Sequence, residues 1–194
     1  MSHPTDPLEV VWRGTAARLG LRITRSDQVF ASTDGYGVLT LGSHDSLDPD
    51  DHLAQMILHE ICHWIVAGAD AIHAIDWGFE PMEGLDWLEF PTIRLQHALC
   101  VPHGLTALMA PTTAARAYWD QLADARVPLD DGPDEARIVA RTLQALHASR
   151  GAPWQPALDQ ALHASGEIVR ITANVADSGP LVPLSPSAPT PGPG

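Results

Sequence analysis

The sequence predicts one α+β domain, mainly helical, with a small β-sheet near the N-terminus. Three observations predict it. Apolar residues recur at helical spacing over most of the sequence. Three short β-like runs cluster between residues 21 and 41. The length of 194 residues suits a single core, because a protein this long buries about 70 % of its unfolded surface. The expected domain spans 1–177, followed by a proline-rich disordered tail, 178–194.

Residues 7–19 read as a first helix with Gly20 as its stop. The β-like runs are 21–25, 28–32 and 36–41, and Asp34-Gly35 between the last two predicts a hairpin. A second helix is expected from about 49 to 67. Asp48 would cap it, Pro49 fits its first turn, and Asp50 and Asp51 favour the positive end of its dipole. Gly68 is its natural C-terminal residue. Residues 69–88 read as irregular, broken by Gly78, Pro81 and Gly84. An apolar helix over 89–101 ends before Pro102. Further helices are expected at 112–125, at 133–149 with Ile138, Leu143 and Leu146 in rhythm, and at 155–164. A β-like run, 167–172, comes last. From Ser178 prolines recur every third residue, a polyproline II repeat on an otherwise disordered composition.

The protein carries 24 acidic residues against 11 basic ones, a net charge of −13, and every basic residue is Arg. From Ser26 to Ile93 there are 13 acidic residues and no Arg. The remaining sequence has 11 of each sign, so the whole excess sits on this segment. Such a charge repels phosphate and argues against nucleic acid and anionic membrane as partners. Two cysteines, Cys62 and Cys100, are too few for a secreted disulfide framework. The first residues lack a basic n-region and an apolar h-region. The most apolar stretch, Met56 to Ile75, carries His59, Glu60, His63 and Asp70, which a simple membrane span would not. The expectation is a cytoplasmic monomer.

His59-Glu60-Ile61-Cys62-His63 is an HExxH motif. With 10 His and 7 Glu in the sequence, chance yields about 0.02 such motifs, so the pattern is read as chemistry. Histidines at i and i+4 lie one turn apart on one helix face, where both rings reach one metal ion. The motif falls in a helix expected to be amphipathic, with Leu53, Ile57, Ile61 and Trp64 on another face. That is a zincin-like arrangement, and Glu60 can polarise a metal-bound water or orient a ligand. A third ligand is needed. Val66 and Ala69 stand where the metzincin pattern requires Gly and His, which excludes that class. His73 would sit about 21 Å along an unbroken helix from His59, so the backbone must turn back for it to reach. Asp76, Glu80, Glu83, Asp86 and Glu89 are the carboxylate candidates. Glu89 borders an apolar helix, where an unpaired carboxylate is costly. Two His and a carboxylate serve zinc peptidases and non-haem Fe(II) oxygenases alike, so spacing leaves both open.

The stretch His59-Glu60-Ile61-Cys62-His63-Trp64-Ile65-Val66-Ala67-Gly68 resembles the HEIxHWxxAG signature of the elongation factor P hydroxylase family. Asp76-Trp77-Gly78 sits where that family has Asp-aromatic-Gly. Residues Glu89 to Gly104 resemble its Glu-bearing helix, and Gly151-Ala152-Pro153 precedes a final helix. The resemblance implies a metal-dependent enzyme that hydroxylates the β-lysylated lysine of elongation factor P. By position it assigns His59, His63 and Glu89 as metal ligands and Glu60 as a proton-handling residue. It favours Fe(II) over Zn(II), since a hydroxylase needs a redox-active metal. No binding signature for 2-oxoglutarate or flavin is readable. The alternatives are an HExxH…E zinc metallopeptidase with Glu60 as general base, and a non-enzymatic metal-stabilised interaction module.

Trp64, Trp77 and Trp87 read as core or pocket wall, and Cys62 and Cys100 as buried small hydrophobes. Arg13, Arg18, Arg22 and Arg25 read as a solvated basic face.

Overall fold

The computed structural model describes residues 6–47, 51–79, 87–111 and 115–176. Six helices are described: α1 (Pro7–Arg18), α2 (Leu53–Ala67), α3 (Glu89–Cys100), α4 (Arg116–Trp119), α5 (Pro133–Ala148) and α6 (Ala157–Ala176). Three strands, β1 (Arg22–Ser26), β2 (Ala31–Thr33) and β3 (Val38–Gly42), form one sheet in the order β1-β3-β2. The α+β prediction, mainly helical with an N-terminal sheet, holds. Among the described residues no helix is long and apolar enough to cross a membrane. The proline-rich tail lies outside the described residues.

Asp6 starts α1 by accepting the Leu8 amide at 2.8 Å, which satisfies one of the helix's free N–H groups. The β2–β3 hairpin is antiparallel, with Thr33 opposite Leu39 and Ala31 opposite Leu41. Asp34 makes its turn: Oδ1 accepts from Tyr36 N at 2.7 Å and Val38 N at 2.9 Å. Gly37 is required there, since its φ is +87° and a Cβ would stand 2.9 Å from the Gly20 carbonyl. Strand β1 pairs parallel with β3 along Arg22–Val38 through Ser26–Gly42.

Helix α2 is the centre of the molecule. It packs on α1, α3 and α5. Ile57, Leu58, Ile61 and Cys62 are fully buried, and Trp64 and Val66 nearly so. The helix is thus buried on almost every side rather than amphipathic, and His59, His63 and Ala67 are its only partly exposed positions. Burial of each large apolar residue contributes about 1.5–3 kcal/mol.

Three expectations are corrected. Helix α2 begins at Leu53, not near 49, and its cap is His52 rather than Asp48. His52 Nδ1 accepts from Gln55 N at 3.2 Å while Nε2 meets the Leu108 carbonyl at 2.8 Å, so a ring with two partners overrides the acidic run before it. Residues 48–50 lie outside the described residues. Of the helix expected at 112–125, residues 112–114 lie outside the described residues and Arg116–Trp119 is the helical part of the rest. The fully buried Arg94 on α3 takes the Ala125 and Val127 carbonyls at 2.9 and 2.8 Å and the Tyr118 hydroxyl, which ties the segment after α4 to α3 in an irregular path. The β-like run 167–172 is helical, the continuation of α6 to Ala176. Ala161, Leu162, Ser165, Ile168 and Val169 form one stripe against the core, with Ser165 accepting the Trp12 indole N–H at 3.0 Å.

Candidate metal centre

Helices α2 and α3 build the site. α2 presents His59 and His63 one turn apart, and α3 presents Glu89 from its first turn. After Gly68 (φ +110°) the backbone turns back through two 3-10 turns, 69–73 and 76–78.

The three side chains meet at one point. His59 Nε2 is 3.1 Å from Glu89 Oε1, His63 Nε2 is 3.2 Å from Glu89 Oε2, and the two Nε2 atoms are 3.0 Å apart. All three are only 12–17 % exposed. Ligand atoms bound about 2.0–2.1 Å from one ion stand about 2.9 Å apart at right angles and about 3.3 Å at the tetrahedral angle. The observed edges fall between those values, so the donor set fits a divalent ion.

The electrostatics are those of a tight pair. Burial alone would push the Glu89 carboxyl up, but the His59 and His63 rings hold it well below the usual carboxylate range. Burial opposes a charge on His59, yet the Glu89 carboxylate, with help from Glu60 and Gln96, raises it to about 9. The two rings and Glu89 thus converge on the point where a cation would bind.

Glu60 also has an oxygen within 4.8 Å of both histidines' ligand atoms, and the group His59, Glu60 and His63 can hold a metal ion. The closer oxygens are those of Glu89. Glu60 is buried, and its Oε2 accepts the Trp77 indole N–H at 3.1 Å. Trp77 in turn stacks on Trp64, with ring centroids 5.6 Å apart and planes 7° from parallel. Asp76 and Trp77 both adopt positive φ, +48° and +57°, which costs a residue with a Cβ about 1–2 kcal/mol. Thr33 offsets that strain: its amide donates to Asp76 Oδ1 at 2.8 Å, and its hydroxyl accepts from Trp77 N at 3.3 Å.

The other ligand candidates fall elsewhere. His73 lies beside the hairpin and is not part of the cluster, and the Asp76 carboxylate is taken by Thr33. Glu80, Glu83 and Asp86 lie outside the described residues. Cys62 and Cys100 are free, buried thiols whose pKa burial pushes up, in line with small hydrophobes. Trp64 and Trp77 are buried, whereas Trp87 is 38 % exposed under the Arg137 guanidinium.

Three further residues, Gln96, Thr92 and Phe79, shape the site that sequence reasoning does not pick out, and Trp77, read there as core or pocket wall, holds Glu60. Gln96 Oε1 lies 2.8 Å from His59 Nδ1, and Thr92 Oγ1 lies 3.4 Å from His63 Nδ1. Phe79 sets its ring edge-to-face on His63 at 4.7 Å. The spacing Glu89, Thr92, Gln96 (i, i+3, i+7) marks one helix face and is a readable signal. The Phe79 and Trp77 contacts depend on the turn after Gly68, which has no periodicity.

Compared with known protein families, curated proteins and solved structures, the sequence and fold match none of them.

Proposed function

We propose that the protein is a metal-dependent oxygenase that hydroxylates a lysine-derived side chain on another protein, as the elongation factor P hydroxylases do. The observation that carries this reading is the convergence of two imidazoles and one carboxylate on a point, with edges of 3.0–3.2 Å. Three protein ligands from one side leave the remaining positions of an octahedral ion free, the facial arrangement of non-haem Fe(II) oxygenases. His59, His63 and Glu89 would hold the ion, and bound Fe(II) would supply oxygen activation.

One oxygen atom of O2 enters an aliphatic C–H bond of the substrate, and the other leaves as water. Two electrons and two protons come from an external reductant. The protein's own residues position and exclude. Phe79 covers one side of His63, and the Trp64–Trp77 stack closes the floor behind Glu60. Glu60 is held by an indole N–H in a buried setting, which suits orienting and proton-holding work at Oε1. The acidic segment supports a cationic substrate, since 13 acidic residues and no Arg lie between Ser26 and Ile93.

The same His, His, Glu order serves zinc peptidases, where Glu60 would act as general base. Co-expression with elongation factor P separates the readings. A mass gain of about 16 Da on the lysine-bearing peptide, lost in His63→Ala, is the expected result. Stoichiometric zinc together with casein cleavage abolished by Glu60→Gln would overturn the oxygenase in favour of the peptidase.

A further inference from the structure

Gln96 is fully buried on α3 and bonded at both ends of its amide. Its Nε2 donates to the Met109 carbonyl at 2.6 Å, and its Oε1 faces His59 Nδ1 at 2.8 Å. A backbone carbonyl can only accept, so the amide nitrogen must face Met109. The amide oxygen is then forced toward the imidazole. An oxygen there can only accept, so His59 Nδ1 must carry a hydrogen. In the neutral ring the lone pair is left on Nε2, the nitrogen aimed at Glu89 and His63.

Resting on the metal centre proposed above, we infer that Gln96 is the positioning residue of the site: it selects the His59 tautomer and fixes the ring plane so that Nε2 is the ligand. Glutamine is the residue that fits. A carboxylate at the same place would set an oxygen against the Met109 carbonyl, acceptor against acceptor. A neutral partner also leaves Glu89 as the one charged ligand. Met109 is itself held, its amide donating to the Leu105 carbonyl at 2.8 Å. The neighbouring Leu108 carbonyl takes His52 Nε2, the cap of α2. The segment after α3 thus ties the start of the histidine helix to the residue that aims its histidine. Thr92 does the same more loosely for His63: its hydroxyl donates to the Leu88 carbonyl at 2.9 Å, which leaves a lone pair facing His63 Nδ1.

The test is zinc and Co(II) affinity at pH 7 by chelator competition, for wild type and Gln96→Met, which keeps length and bulk but loses both bonds. The expected result is a dissociation constant raised about 10- to 100-fold, with the metal-free fold kept by circular dichroism. Nitrogen-15 NMR of the zinc-loaded wild type reads the tautomer without any variant. It should show a slowly exchanging His59 Nδ1–H and a metallated Nε2, and in Gln96→Met that proton should exchange fast. An Nδ1-bound metal, or unchanged affinity and exchange in Gln96→Met, would overturn the inference. His59→Ala and Glu89→Gln in the same titration keep the two claims apart. If they abolish binding and Gln96→Met does not weaken it, only the role of Gln96 falls; if they too bind zinc normally, the metal centre falls with it.

Discussion

Both ring nitrogens of His59 face an acceptor oxygen, the Gln96 amide at Nδ1 and the Glu89 carboxylate at Nε2, with the His63 imidazole beside it. In the metal-free protein Glu89 keeps this ring charged up to about pH 9. Binding a cation must therefore expel a proton. Calorimetry of zinc binding at pH 7 in buffers of different ionisation enthalpy should show about one proton released per ion, and affinity falling as pH drops. No proton release would contradict the pairing. The sign for stability follows from the same shifts. His59 is raised, so its contribution is complete below its unfolded value and fades as pH rises through about 9. Glu89 is depressed, so its contribution is present above its unfolded value and fades as pH falls. Among the described residues Glu60 has one donor, the Trp77 indole N–H. Trp77→Phe keeps the stack on Trp64 but removes the N–H, and should cost about 1.5–3 kcal/mol in denaturant unfolding. A change near zero would mean that Glu60 finds another donor.

Among the elements, α2 and α3 are legible in the sequence because their signals are local. The HExxH spacing, Gly68 as terminator and Glu89 at the head of an apolar run are each readable without tertiary knowledge. The Asp34 turn is legible for the same reason. The segments at 112–125 and 167–172 read wrongly because distant residues decide them. Arg94 ties the first to α3 through the Tyr118 hydroxyl and the Ala125 carbonyl, and the α1 surface with Trp12 recruits the second into α6. The start of α2 reads wrongly because the acidic run offers a good cap, while His52 offers one with a second anchor. Arg94 also joins two elements. It pairs with Glu135 across α3 and α5, both of them buried, and Glu135 also accepts from Leu129 N at 2.9 Å. Glu135→Gln should cost about 3–5 kcal/mol, because it leaves a buried guanidinium without its counter-charge. Thermal or urea unfolding checks it, and a cost below about 1 kcal/mol would show that the pair is not what joins the two helices.

For the molecule as a whole, the candidate metal site lies in the acidic third of the sequence, on α2 and the head of α3. That segment, Ser26 to Ile93, holds the sheet's hairpin, α2 and Glu89, and its excess charge exceeds what one divalent ion offsets. If the charge recruits a cationic substrate, replacing Asp45, Asp48, Asp50 and Asp51 with Asn should weaken substrate capture and flatten its salt dependence. Unchanged capture would leave the charge as a matter of solubility. His59, His63 and Glu89 are proposed to hold one ion, and titration with zinc or Co(II) tests that most directly. Wild type should bind one ion per protein, and at free metal about 100 times the dissociation constant it should gain about 2.7 kcal/mol of stability. His59→Ala, His63→Ala and Glu89→Gln should each lose that binding and that gain. One ion still bound by all three variants with wild-type affinity would contradict the account.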